Sequence, residues 1–594
     1  MNKFVLLLAG AASLVASGAP AADYRARLPE DEVIYFLLPD RFENGDLSND
    51  KGELKGDRLA TGFDPTSKGF FHGGDLKGLT KRLDYIQGMG ATAVWLSPVF
   101  KNKPVQGPKG QESAGYHGYW VTDFTRVDPH LGTDADFKAF VDAAHARGMK
   151  VYMDIIANHT ADVLYPKECE GKGKCPYRSI ADYPYQRRGG VSGAAINSGF
   201  DGSDFSKLTD PNYAYTITVK PAEKAIKLPA WLNDPIYYHN RGDTTFKGES
   251  SQMGDFVGLD DLFTEHPRVV EGMIDIYGSW IDRFGVDGFR IDTAQHVNPE
   301  FWAQFAPAMM ARARAKGIPN FHIFGEVATS EMDPAHTAVN TRVDKLPSVL
   351  DFPFARAVID VVAGKAGTDE LAKLFRADPL YEGGADAALR LPTFLGNHDA
   401  GRFPALLKIF GLQADDEELL KRDLLGHAML LTLRGVPTIY SGDEQGFVGK
   451  GGDQDARQDM FASRVATYNE DKLLGTDATT AQSNFDTNHP IYREIAKLAR
   501  VRTGNPALTR GRQVVRFASE KPGLFAVSRF DPADGHEVLL VFNTSMQPIE
   551  QNVRTETASS KFTTLAGICP ATSVAPGSVH VTLQPLSYAV CDAR

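Results

Sequence analysis

From Val33 to about Thr438 the chain alternates short runs of β-branched and aromatic residues with longer amphipathic stretches. That rhythm is the signature of βα units wound around a parallel sheet. Eight strands are predicted, at Val33–Leu38, Thr92–Ser97, Val151–Ile156, Val286–Asp292, Phe321–Val327, Val349–Phe352, Leu391–Asn397 and Val436–Tyr440. Helices are predicted between them. Thr133 is placed to cap one whose Phe137, Phe140, Val141 and Ala144 share a face before Gly148 ends it. Pro267 opens another, with Val270, Met273, Ile274, Tyr277, Trp280, Ile281 and Phe284 in a broad apolar stripe before Gly285. The expected fold class is α/β, a (β/α)8 barrel over residues 22–505.

Two intervals break the rhythm. Between Ile156 and Val286 only the last stretch reads as helix, and the rest is rich in Gly, Pro, Tyr and Asn. This predicts a subdomain over residues 157–265, inserted after the third strand, where so long a loop tends to be functional. Past about Asn505 the segments Leu524–Phe530, Val538–Asn543 and Val579–Leu583 alternate apolar and polar positions, with turns at Asp531-Pro532 and Asp534-Gly535. They predict a C-terminal all-β sandwich over residues 506–594. Ahead of the barrel, Lys3, an apolar run from Phe4 to Ala12 and the small residues Ala19-Pro20-Ala21 read as a signal peptide over residues 1–21. The run is shorter than the ~20 apolar residues of a bilayer span, and no later segment is longer, so an exported protein is expected rather than a membrane anchor.

Composition narrows the picture further. With 42% hydrophobic and 23% charged residues the chain is of the soluble globular class, with ample material for a large core. A formal net charge of −11 without a concentrated basic stripe argues against nucleic acid as a partner. The 4 cysteines fall into two local pairs, Cys169 with Cys175 and Cys569 with Cys591, which predicts two disulfides. Zinc at Cys169 and Cys175 is the weaker alternative, because no Cys-x-x-Cys pair or nearby His cluster completes a tetrahedral set.

Reacting groups in such a barrel stand where strands end at the C-terminal face. The third strand ends in Asp154-Ile-Ile-Ala-Asn158-His159, the fourth in Gly288-Phe-Arg290-Ile-Asp292, the fifth in Phe324-Gly-Glu326-Val and the seventh in Phe394-Leu-Gly-Asn397-His398-Asp399. Each alone is a cheap pattern, since an acidic residue after a strand is more often a helix cap. Together with Gly435-Val-Pro437-Thr-Ile-Tyr440-Ser-Gly442-Asp443-Glu444 on the eighth strand, the four segments resemble the α-amylase family of glycoside hydrolases, over nearly the whole mature chain. The resemblance identifies the insertion with that family's domain B and the C-terminal strands with its domain C.

Residue by residue, the resemblance implies Asp292 as nucleophile, Glu326 as general acid/base and Asp399 as the carboxylate that stabilises the transition state. Retaining cleavage of an α-1,4-glucosidic bond needs these types: an acid to protonate a poor leaving group while a carboxylate attacks the anomeric carbon. Arg290, two residues before Asp292 on the same strand face, is placed to keep it ionised, although an isolated Arg-x-Asp would read as a structural ion pair. Glu326 should have its pKa raised by burial and neighbouring carboxylates. His159 and His398 resemble the family's sugar-binding histidines, and Tyr119 in Tyr116-His117-Gly118-Tyr119-Trp120 resembles its stacking platform, with His117 beside it. Tyr116 and Trp120 read equally as core. Arg457 either approaches the same sugar or forms a solvated salt bridge.

Calcium (Ca2+) is the implied metal. The run Asn44-Gly45-Asp46-Leu-Ser-Asn49-Asp50 with Gly73-Gly74-Asp75 resembles the N-terminal calcium loop of cyclodextrin glucanotransferases and neopullulanases, where hard oxygen donors crowd on one loop. An ordinary turn cluster is the alternative. By the same analogy Asn158, Asp261 and His296 would form a second site at the junction of barrel and insertion. Two segments depart from the family pattern. Leu259-Asp260-Asp261-Leu262-Phe263 stands where Met-Pro-Asp-Leu-Asn or Gln-Pro-Asp-Leu-Asn is usual, and Gln295-His296 stands where Lys-His is often found. The expected substrates are starch-type α-glucans or maltooligosaccharides. An α-amylase is the first reading, a cyclomaltodextrinase, neopullulanase or glucanotransferase the second, and a non-catalytic binding or transporter-accessory barrel a remote third.

Overall fold

A computed structural model describes residues 23–559, 561–569 and 571–593; the predicted signal peptide lies outside the described residues. Seven parallel strands form the central sheet: β1 (Ile34–Leu37), β2 (Ala93–Leu96), β3 (Lys150–Ile156), β4 (Gly288–Asp292), β5 (His322–Gly325), β6 (Pro392–Thr393) and β7 (Val436–Tyr440). They lie in the order β5-β4-β3-β2-β1-β7-β6. The eighth predicted strand, at 349–352, is reduced to one parallel bridge between Val349 and Gly325. It still closes the ring, because Leu350 N–H donates to Gly325 O at 3.0 Å on one side and Asp351 N–H to Pro392 O at 2.9 Å on the other. The strand stops there because Asp351 turns away to cap the helix Phe352–Val362, its carboxylate accepting from Phe354 N–H.

Side chains alternate along each strand as a barrel demands. Ile34, Phe36, Trp95, Tyr152, Phe324 and Tyr440 fill the lumen as one buried cluster, while Tyr35, Leu37, Val94, Leu96, Val151 and Met153 pack outward against the helices. Phe36 stacks on Trp95 with centroids 4.0 Å apart. The capping prediction at Thr133 is met by a reciprocal box with Asp136 at the start of helix α1 (Asp134–Ala146). Helix α2 (Pro267–Phe284) buries the predicted stripe, with Ile274 partly covered, and ends at Gly285, whose φ of 72° is left-handed and favours glycine.

Between β3 and α2 the insertion contains only short pairings, among them Asp260–Asp261 against His159–Thr160. Its own core is aromatic, with Tyr185, Phe200, Tyr213, Tyr215 and Phe263 around Cys175, and it carries the Cys169–Cys175 disulfide. The C-terminal region is a sandwich of a five-stranded and a three-stranded antiparallel sheet. Leu524, Leu539, Val541 and Ala589 from one sheet face Val553, Val579, Val581 and Leu583 from the other, and Cys569 is bonded to Cys591. No helix among the described residues is long and apolar enough to cross a membrane.

Candidate active site

Asp292 is the last residue of β4, and Arg290 points the same way two positions earlier. Glu326 follows directly on β5, its N–H donating to Ile291 O at 2.8 Å, so the two strand ends are tied at the level of the carboxyls. Asp399 sits in a tight loop after β6. There Asn397 and Gly401 exchange backbone hydrogen bonds at 3.1 Å, and the Asn397 side-chain oxygen accepts from the N–H groups of Asp399 (3.0 Å) and Ala400 (2.7 Å). This Asx turn aims Asp399 across the barrel mouth.

A single buried guanidinium organises the carboxyls. Arg290 Nη1 lies 2.7 Å from Asp154 Oδ1 and 2.8 Å from Asp292 Oδ1, and its Nη2 lies 2.9 Å from Glu326 Oε2. Asp154 and Arg290 are essentially inaccessible, whereas Asp399 is 47% exposed at the open edge. Burial pushes Glu326 up to about 7; Arg290 opposes the rise, and the charges of Asp292 and Asp399 add to it. Burial also raises Asp292 above its ordinary value, against the pull of Arg290. Asp399 moves the other way: burial works to raise it, but His398, Arg457 and Arg290 hold it low. Two carboxyls at one cleft are thus pushed apart in acidity, one toward neutrality and one firmly charged.

The carboxyls open onto a cleft of about 480 Å³ lined by His117, Tyr119, His159, Asp292, Glu326, Asp399 and Arg457 among others. Tyr119 hydroxyl donates to Asp154 Oδ2 at 3.1 Å and shares a 2.8 Å hydrogen bond with His398 Nε2, and its ring is stacked with those of His117 and His398. His159 lies parallel to Phe256, its Nε2 buried without a hydrogen-bond partner. Burial holds His159 and His398 at about 3, so both rings are neutral near pH 7. Arg457 lines the cleft, and its two terminal nitrogens reach Asp399 Oδ1 and Asp453 Oδ1, each at 2.8 Å, from a guanidinium that is buried rather than solvated.

Several residues in or beneath the cleft were assigned no site role from the sequence. Asp154 lay inside a quoted motif, and its inward position with Tyr152 on β3 was the available signal. Trp120, read as possible core, is half-buried on the cleft wall, while Tyr116 is buried as expected for core. Thr293, Gln295, Phe256 and Asp453 also face the cleft, from loops whose shape periodicity does not encode. Gln295 is held by its neighbours, its Oε1 3.2 Å from His336 Nε2 and its Nε2 3.4 Å from His296 Nε2.

The expected calcium residues divide. Among the described residues no three His, Cys, Asp or Glu side chains converge in a metal-holding group. The N-terminal loop nevertheless gathers oxygens of mixed type. Asp50 Oδ1 accepts from Asn44 at 2.8 Å, and Asp75 Oδ2 accepts from the backbone N–H of Gly45 and Asp46 and from Asn49. Asn49 Oδ1 is buried with no hydrogen-bond partner, and a Cβ on Gly73 would meet Asp50 Oδ1 at 2.7 Å. An orphaned amide oxygen beside two carboxylates fits a hard cation. Asp46 is the exception, since its carboxylate turns outward to Lys77 at 2.6 Å. The second set does not fit. Asp261 Oδ2 lies 2.6 Å from His239 Nδ1, whose Nε2 faces Glu265 at 2.8 Å, and those two carboxylates outweigh burial to raise His239 to about 9. The His239 ring thus already takes the Asp261 oxygen that a cation would need. His296 Nδ1 faces Ser251 instead, at 2.8 Å from its carbonyl oxygen, while the Asn158 amide nitrogen lies 3.4 Å from His159 Nδ1 and its backbone oxygen accepts from Leu262 N–H at 2.8 Å.

The model of the α-amylase catalytic domain matches residues 36–511. An α-amylase of Streptomyces lividans is 46% identical over 548 residues, which cover 91% of this chain and 58% of that protein, so the chain spans less than two thirds of that relative. Among solved structures, an Anoxybacillus α-amylase superposes with a TM-score of 0.68 at 26% identity, over 96% of this chain and 99% of that one. A cyclomaltodextrin glucanotransferase with a three-domain ABC distribution gives 0.69 at 27% identity, over 95% and 99%. With the family model covering most of its length, the chain belongs to the α-amylase family of glycoside hydrolases.

Proposed function

We propose that the protein is an exported enzyme that cleaves α-1,4-glucosidic bonds of starch-type glucans or maltooligosaccharides with retention of configuration. The observation that carries this reading is the one guanidinium of Arg290 holding both Asp292 and Glu326 beside an open cleft. Carboxyls anchored to neighbouring nitrogens of one group suit the close spacing of retaining enzymes, about 5–5.5 Å. Glu326, protonated near neutrality, gives its proton to the glycosidic oxygen as Asp292 attacks the anomeric carbon. The leaving sugar departs, and a glycosyl ester on Asp292 remains. Water then gives a proton back to Glu326 and attacks the anomeric carbon, breaking its bond to Asp292 and releasing a product of the original configuration.

Asp399, charged and exposed, accepts hydrogen bonds from sugar hydroxyls and stabilises the developing positive charge on the ring, with Arg457 setting its orientation. The unpaired His159 Nε2 and the Tyr119 ring supply a hydroxyl contact and an apolar platform. A sugar hydroxyl entering in place of water would give glucanotransfer, the alternative favoured by the likeness to the glucanotransferase structure. The test is ¹H NMR of a maltoheptaose digest within the first minutes. Newly formed reducing ends in the α configuration are expected, and β ends would overturn the reading.

Calcium is proposed at the N-terminal loop, held by Asn44, Asn49, Asp50, Gly73 and Asp75, with Asp46 outside the set. A bound cation there would neutralise the crowded oxygens and pin the loop to the barrel. Removing a ligand that binds only the folded state at 100 times its Kd costs about 2.7 kcal/mol. Chelation with EDTA should therefore lower the melting temperature, and added Ca2+ should restore it. A melting curve indifferent to both would remove the metal from this loop.

A further inference from the structure

The residue after Asp292 is strained. Thr293 has φ 46° and ψ 36°, a left-handed conformation that a β-branched side chain seldom adopts, and it is buried at the cleft wall. Strain of this kind persists only where surrounding structure enforces it, and it clusters at working sites. Its consequence here is directional. The turned backbone points the Thr293 N–H at Glu326 Oε2, 3.1 Å away, the same oxygen that Arg290 Nη2 meets at 2.9 Å.

A carboxyl oxygen already facing two N–H donors is a poor place for an acid hydrogen, since the O–H would have to point among other donors. We propose that Thr293 is a positioning residue, whose left-handed backbone amide acts with Arg290 to pin Glu326 Oε2 and so place the transferable proton on Oε1. This rests on the reading of Glu326 as the acid/base. In the first step the Oε1–H bond breaks and an O–H bond forms on the departing sugar, while the C1–O bond gives way to a C1–Asp292 bond. In the second, a proton from water returns to Oε1. The pinned oxygen takes no part in either transfer, and its two donors stabilise the carboxylate that exists between them. Threonine suits the position better than glycine, because glycine would also populate ordinary φ values and leave the amide unaimed.

The test replaces the peptide bond between residues 292 and 293 by an ester, introducing the α-hydroxy analogue of threonine by nonsense suppression. The side chain is kept and only the N–H is lost. A bond to a charged acceptor of this kind corresponds to a loss of about 10–100-fold in kcat on maltoheptaose. The basic limb of kcat/KM should also move to higher pH, by about one unit, because the charged form of Glu326 has lost a donor. Thr293→Gly keeps the N–H but releases its direction, so a smaller shift in the same sense is expected, and it serves if the ester protein does not fold. A basic limb that stays in place in both proteins overturns the proposal, whatever happens to kcat. Glu326→Gln in the same assay separates the two claims: full turnover in that variant would reject Glu326 as the acid, independently of Thr293.

Discussion

Glu326→Gln should lower kcat on maltoheptaose by about 10²–10⁴-fold, the range that a positioned general acid contributes, and leave the melting temperature unchanged or higher. The activity loss follows from chemistry: an amide cannot protonate the glycosidic oxygen, and a sugar alkoxide is too poor a leaving group to depart unaided. The stability outcome follows from electrostatics. Arg290 faces three carboxyls, at Asp154, Asp292 and Glu326, and Asp399 stands nearby. Replacing Glu326 by a neutral isostere removes one buried acid from an overcrowded set while its oxygen can still accept from Arg290 and Thr293. In the parent enzyme the acid sits at about 7, so kcat/KM should fall as pH rises through that value and its proton is lost. Steady-state kinetics across pH and a thermal melt check both parts. Retained turnover with a lowered melting temperature would recast Glu326 as a structural ion-pair partner.

The sequence made the barrel readable because its strands are continuous apolar runs bounded by turns, and the helices between them carry caps and single apolar faces. It failed at 349–352, where apolarity continues but Asp351 leaves the sheet to cap a helix, and the seventh candidate contracts to Pro392–Thr393 because Asn397 and Gly401 close a turn. Local side-chain bonding overrode the apolar pattern in both places. At the site, Asp292, Glu326, Asp399 and His159 were legible because each ends or closely follows a strand in a recognisable motif; Tyr119 and Arg457 stand in segments away from the predicted strand ends, and all six line one cleft. The metal residues were less so. Asp46 and Asp261 carry suitable oxygens, yet Lys77 and His239 reach them first, and no spacing rule foretells which cation a carboxylate will face. Asp154 and Thr293 passed unnoticed for a related reason: their importance lies in contacts with Arg290 and Glu326, which exist only once β3, β4 and β5 are side by side.

Arg290→Met should cost the fold about 3–5 kcal/mol at pH 9, because there it strands buried carboxylates instead of removing a pair. Asp154 is the critical partner. It is fully buried, and its acidity is already shifted by that burial to about 8 with Arg290 in place. Without the guanidinium, Asp154, Asp292 and Glu326 repel one another in a poorly hydrated pocket, and each must take up a proton or disrupt the strand ends that carry it. The sign of the pH dependence follows. A carboxyl whose folded pKa lies above its unfolded value binds a proton on folding, so the stability it contributes is present at low pH and lost as pH rises toward the folded pKa. A carboxyl still protonated in the parent gains no charge pairing from the guanidinium, so the deficit of the variant should be small near pH 4 and grow as pH rises through about 7 and 8, where Glu326 and Asp154 ionise in the parent. Adding Asp154→Asn should recover part of it at pH 9, since the second change removes the most deeply buried carboxyl, and the two effects must be non-additive if the residues share one network. Urea unfolding of the parent, both single variants and the double variant at pH 4 and pH 9 measures every term. A deficit equal at the two pH values, or one that Asp154→Asn deepens, would mean that Arg290 stabilises the barrel by packing against Trp95 and Tyr119 rather than by neutralising the carboxyls around it.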